Sequence, residues 1–161
     1  MPDTPVLPFL KSFLSQWHRS DFELDGLKFC CAEQYMMYRK AQLFGDATIA
    51  EKIMSKSDPH DHKRLGQQVK NFDHDTWEAH KSEIAFTGNM AKFSQNAGLK
   101  KKLLATGNAL LAEANVKDFI WGIGSSEDDP RVTDPSAWLG PNLLGEVLMK
   151  VREKLSAENA E

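Results

Sequence analysis

Cysteine is nearly absent from this chain: there are two, Cys30 and Cys31, and they are adjacent. Neighbouring cysteines rarely reach disulfide geometry, so no disulfide framework is expected. The pair reads as two buried thiols of a reducing compartment. It also lacks zinc-ligand spacing, and His60 and His62, flanking Asp61, show no third ligand in the sequence, so no metal site is expected. A long apolar run is missing too. Met1-Pro2-Asp3-Thr4-Pro5 carries no basic stretch ahead of a hydrophobic one. Neither a signal peptide nor a membrane span is expected, and the expected location is cytoplasm or nucleus. Nor is there an excess of charge of one sign. A net charge of −3 gives no global field for nucleic acid, which would need a local basic patch. Lys100-Lys101-Lys102 is a short basic run whose usual meaning is a solvated helix face. No internal repeat or low-complexity linker is present, and the glycine spacing matches neither a P-loop nor a dinucleotide-binding fingerprint.

What is there is the composition of a globular chain, 41% hydrophobic and 27% charged, at the length of one ordinary domain. A single domain over residues 1–161, monomeric and without a membrane partner, is expected. Residues 6–31 read as extended. Asp25-Gly26 between apolar arms, Phe22 to Phe29, is a hairpin signal. A helix is expected over 33–44, closed by Gly45, then short helices over 46–56 and 59–70, with Pro59 in the first turn of the second. Residues 73–93 read as a long helix that places Trp77, Ile84 and Ala91 on one face, with Asp75 and Glu78 as a capping box. A short helix near 97–105 follows, with Leu99, Leu103 and Leu104 as its apolar set, then a strand over 109–113. The last helix spans 142–156, with Leu144, Leu148, Val151 and Leu155 as its buried stripe. From Trp121 to Asn142 no periodicity holds; this Gly/Pro-rich stretch with the acidic run Glu127-Asp128-Asp129 reads as a lid or binding loop, or else a surface insertion.

Two carboxylates draw attention. Glu33 opens the first helix. A carboxylate is favoured there by the exposed amides alone, so it serves either as a cap or as a site residue. Its flanks, Cys30, Cys31, Ala32, Tyr35, Met36 and Met37, are apolar or aromatic. Such surroundings desolvate a carboxyl and raise its pKa toward the range of acid–base catalysis. Lys40, seven residues on, shares its face. Asp118 follows the last strand, ahead of the loop, where a carboxylate suits either a site or a turn. Trp17, Trp77 and Trp121 read first as core, with stacking on a base as the other reading. Gly140-Pro141-Asn142-Leu143-Leu144-Gly145 opens the last helix, and its amides are expected to be open to phosphate oxygens.

In order along the chain, Phe13-Leu14-Ser15-Gln16-Trp17, Ala32-Glu33-Gln34-Tyr35-Met36-Met37-Tyr38-Arg39-Lys40-Ala41, Asp118-Phe119-Ile120-Trp121-Gly122-Ile123-Gly124, and Asn142-Leu143-Leu144-Gly145 followed by Leu148-Met149 and Arg152 resemble the motifs of the NADAR family, the YbiA-like proteins. Trp77 falls where the family has a tryptophan on its central helix. Gln34 departs from relatives that carry His, so no histidine adjoins Glu33. The resemblance implies a mainly α (α+β), compact helical domain with a small N-terminal hairpin and short strands. It implies hydrolysis of a ribose C1′–N bond without metal or other cofactor. Its implied substrate is ADP-ribosylated guanine, as nucleotide or DNA, with early riboflavin intermediates as the alternative. A non-catalytic reader of ADP-ribose or NAD, and a structural partner protein, are the readings from other classes. Carried over residue by residue, Glu33 and Asp118 are the acidic catalytic residues. Lys40, Trp77, Tyr35, Trp121, Gly122, Asn142 and Gly145 are the substrate contacts.

Overall fold

The computed structural model describes residues 4–159; the Met1-Pro2-Asp3 start lies outside them. In chain order the elements are β1 (Val6–Phe9), β2 (Phe22–Leu24), β3 (Leu27–Phe29), α1 (Ala32–Leu43), α2 (Ala47–Met54), α3 (Pro59–Gly66), α4 (His74–Gln95), α5 (Ala97–Ala105), β4 (Leu110–Glu113) and α6 (Leu143–Asn159), with two 3₁₀ turns, Pro130–Thr133 and Pro135–Ala137, ahead of α6. The architecture is the expected mainly helical α+β one. Of the stretch 6–31, only β1, β2 and β3 are strand; most of 10–18 is turn and bend. By its contacts the chain divides into two compact units, a central one of Gln16–Asn96 and a flanking one of the residues up to Ser15 and from Ala97 on.

In the central unit, Asp25 and Gly26 both take positive φ, 53° and 79°. That is the twist a two-residue hairpin requires, and it sets Phe22 opposite Phe29. α1 closes at Phe44, with Gly45 at φ 71° beyond it. Asp46 caps α2 through Ile49 N, and its other oxygen accepts from Lys70 N at 2.9 Å. Asp58 caps α3 ahead of Pro59. The expected Asp75–Glu78 box on α4 is displaced by two residues. The cap is Asp73, which takes the extended conformation a cap needs and accepts from Thr76 N and Oγ1. Glu78 instead pairs with Lys81 at 2.7 Å. Trp77, Ile84 and Ala91 are all buried. α1 packs against α2, α3 and α4. Gly88 on α4 permits the last of these, because a Cβ there would stand 2.7 Å from the Tyr35 ring.

In the flanking unit, β1 and β4 pair in parallel, Val6 opposite Leu110 and Phe9 opposite Glu113, and α6 lies on β4. Leu144, Leu148, Val151 and Leu155 are fully buried, as their spacing requires. On α5 only Leu103 is buried; Leu99 and Leu104 are half-buried. The stretch 121–142 is ordered rather than free. Ile123 N donates to Glu113 O, and Leu139 N donates to Ile123 O. Asp129 and Asp134 cap the two 3₁₀ turns, each followed by proline, and Ile123 and Val132 are buried against Ala112 and Ala114. An aspartate–proline pair at a turn start is a helix-initiation signal, and it occurs twice here.

Asn142 holds this unit together. Fully buried at φ 56°, its Nδ2 donates to Leu111 O at 2.8 Å and its Oδ1 accepts from Glu113 N at 3.0 Å. Asn142→Ala leaves both backbone groups of β4 without those bonds, at about 1–3 kcal/mol each. The expected loss is about 2–6 kcal/mol, read as a lowered urea midpoint at unchanged m-value.

Candidate active site

Glu33 is the second residue of α1, and its carboxylate-bearing side chain is buried, at 7% exposure for the residue. The N-cap position belongs to Cys31, whose side chain makes no capping bond. The amide of Glu33 donates instead to Gln16 O at 3.0 Å. Gln16 is itself buried; its Oε1 accepts from Asn89 Nδ2 of α4 at 2.8 Å. The start of α1 is thus tied to α4 through one glutamine, which no sequence signal distinguishes beyond its place beside Trp17. Gln34, the neighbour of Glu33, is spent on structure. It accepts from Cys30 N and donates to Ile53 O and Lys56 O.

Two turns along α1, the Lys40 ammonium sits 4.9 Å from the centre of the Phe72 ring and 5.5 Å from that of Trp77, within cation–π range. Burial pushes its pKa down, and the charge of Glu33 opposes the shift. Glu33 and Lys40 therefore feel one another. Phe72, 45% exposed and tilted against Phe44 at 5.3 Å, offers a ring face beside this cation. It lies in the α3–α4 connection and carries no periodicity that would have singled it out.

Lys92 on α4 is fully buried, and burial pushes its pKa down to about 7, with Cys31 opposing the shift. Its nitrogen lies 4.9 Å from the centre of the Phe93 ring. Depressed lysine pKa values are a mark of proton-transfer and nucleophilic sites. In the sequence Lys92 looks like any helical lysine.

Tyr35 is core rather than platform: 2% exposed, its ring is enclosed by Phe22 and Phe29, and its hydroxyl accepts from Arg39 at 2.6 Å. In the flanking unit, half-buried Asp118 uses Oδ1 to accept from Ile120 N and Trp121 N, an Asx turn. Gly122 lies where a Cβ would stand 2.8 Å from Glu113 O, and at Gly145 one would overlap Leu111 O. These two glycines and Asn142 serve close packing. The amides ahead of α6 are not open to a phosphate, contrary to expectation. Those of Gly140, Asn142, Leu143 and Leu144 donate to Ile123 O, Gly122 O, Ile120 O and Trp121 O.

The family model of the NADAR domain matches residues 9–156. This chain belongs to the NADAR family. It is 46% identical to "N-glycosidase R617" of Acanthamoeba polyphaga mimivirus over 87% of this chain and 85% of that protein. It is 32% identical to "N-glycosidase YbiA" of Escherichia coli over 84% of this chain and 76% of that one. The NMR structure of E. coli YbiA superposes with a TM-score of 0.80 at 30% identity, covering 100% of this chain and 90% of that one. Another relative, "Riboflavin biosynthesis protein VVA0006" of Vibrio vulnificus, is 30% identical over 89% of this chain, which spans 35% of that protein.

The buried amine of Lys92 makes stability depend on pH in a definite direction. Below about 7 it is protonated folded and unfolded alike. Above that the folded chain releases the proton, while the unfolded chain holds it up to the ordinary 10.5. Stability therefore rises with pH from about 7. Cys31, its thiol pushed up by burial from 9.0 to about 12, cancels the rise above about 9, and stability falls once the unfolded lysine also titrates, above 10.5. Urea midpoints should rise between pH 7 and 9, by at most about 1.4 kcal/mol per pH unit, and Lys92→Met should flatten that rise.

Proposed function

We propose that this NADAR protein is an N-glycosidase that cleaves the ribose C1′–N bond of an ADP-ribosyl substrate, releasing guanine from ADP-ribosylated guanine. The observation that carries the reading is the buried carboxylate of Glu33 at the start of α1, with the Lys40 ammonium and the Phe72 and Trp77 rings on its helix face. Cleavage of a C1′–N bond builds positive charge on the sugar. A carboxylate in a desolvated setting stabilises that charge and takes the proton of the attacking water. Lys40 supplies a cation for the phosphates. The exposed face of Phe72, backed by Trp77, supplies a stacking surface for a base. Asp118 and Trp121 enter through the family motif, and Asp118→Asn tests that role separately from Glu33. Tyr35, Gly122, Asn142 and Gly145 are left to packing. The names of R617 and YbiA support the reaction class. The name of VVA0006 favours a second substrate reading, an early riboflavin intermediate.

A substrate panel decides between them. ADP-ribosylated guanine DNA, ADP-ribosylated guanine nucleotide and the riboflavin intermediates are each incubated with the protein, and free base is followed by chromatography. Guanine release is expected, with KM about tenfold higher in Lys40→Ala, the equivalent of about 1.4 kcal/mol of binding. Release from the riboflavin intermediates alone selects the second substrate. Calorimetric binding of ADP-ribose with no base released from any of them makes the chain a binding module and contradicts the proposal.

A further inference from the structure

Independently of that reading, a second cluster lies where β3 runs into α1. Cys30, Cys31 and His62 bring one donor atom each to within 4.8 Å of one another. The sequence hides this, because the histidine stands 31 residues beyond Cys31, on α3. Cys31 and His62 are buried and Cys30 is half-buried.

We propose that Cys30, Cys31 and His62 form a binding site for a thiophilic metal ion, with zinc(II) the ion their donors suit best. Two thiolate sulfurs and an imidazole nitrogen are the donor types zinc takes. With Zn–S near 2.3 Å and Zn–N near 2.0 Å, donors of a tetrahedral ion stand about 3.5–3.8 Å apart. Cys31 Sγ and His62 Nδ1 are 3.7 Å apart. The remaining sulfur needs to move about an ångström at most, which Cys30, as the half-buried member, does by side-chain rotation. The imidazole is already set in the ligating form. His62 Nε2 donates to Lys56 O at 2.8 Å, which leaves the lone pair on Nδ1. A backbone carbonyl holding the far nitrogen is the outer-shell arrangement that orients metal-binding histidines. Desolvation lowers the His62 pKa, which favours the neutral ring.

An entry path exists. Cys30, Lys56 and Ser57 line a cleft of about 600 Å³, which also leaves room for a water as fourth ligand. The charged groups acting on the cluster are Arg19, toward Cys30 and Cys31, Glu33 and Lys92, toward Cys31, and Asp58 and Asp61, toward His62. Binding is proton exchange without redox. Each thiol loses its proton to solvent as its sulfur bonds the ion, so two protons leave per divalent ion and the cluster stays neutral. Without metal, the same 3.7 Å contact is a thiol–imidazole hydrogen bond.

The test is titration of the reduced protein with cobalt(II), a spectroscopic stand-in, followed by displacement with zinc(II). Expected are a thiolate-to-cobalt charge-transfer band saturating at one equivalent, release of two protons, and loss of the band on adding zinc. Cys30→Ser and His62→Gln should each weaken binding at least about tenfold. Absence of the charge-transfer band overturns the proposal. So does a band whose affinity is unchanged in Cys30→Ser, a substitution at the half-buried position that circular dichroism can check for folding.

Discussion

A helix that begins inside a protein has to find partners for its first amides, and α1 begins there without help from its own cap. Cys31 supplies no side-chain bond, so the Glu33 amide goes to the carbonyl of Gln16, whose side chain is held by Asn89 of α4. This small polar network fixes where the first turn of α1 lies, and with it the direction of the Glu33 side chain. Its bonds run through Asn89 Nδ2, which donates to Gln16 Oε1 and to Ala85 O, while Asn89 Oδ1 is buried with no partner among the described residues. The close approach of α1 and α4 that these bonds require explains why Gly88 has no side chain to set against Tyr35. Four groups of the central unit, Lys40, Lys92, Cys31 and His62, have proton affinities shifted chiefly by burial.

Much of the fold was legible because its signals are local. Asp25-Gly26 could make only a tight reversal, Gly45 and Pro59 punctuate helices from inside the sequence, and the stripe from Leu144 to Leu155 needs no partner to be recognised. The α4 cap lies two residues ahead of the expected one because Asp73 and Asp75 are chemically identical; only the backbone conformation at Asp73 separates them. The order within 121–142 is hidden in the sequence because glycine and proline there read as irregularity, although Asp129-Pro130 and Asp134-Pro135 are themselves cap-and-start pairs.

The candidate site was legible in part for the same reason. Glu33 and Lys40 lie seven residues apart on one helix, so periodicity alone put them on one face. Phe72, Gln16 and Lys92 act through neighbours distant in sequence, and a glutamine, a loop phenylalanine and a helical lysine look ordinary until those neighbours are placed. Tyr35 went the other way. The motif around it reads as functional, whereas its ring fills the space beneath the hairpin. The motif at the start of α6 likewise concerns architecture: Asn142 and Gly145 let the helix seat on β4.

The central claim is that the carboxylate of Glu33 does the chemistry rather than merely closing a helix. Glu33→Gln keeps size, helix propensity and hydrogen-bonding capacity but removes the charge. The decisive measurement is turnover of ADP-ribosylated guanine nucleotide by wild type and Glu33→Gln, with thermal melts to establish equal folding. The account predicts a fall in kcat of at least about a hundredfold with little change in KM. A folded Glu33→Gln protein with near wild-type turnover would contradict it.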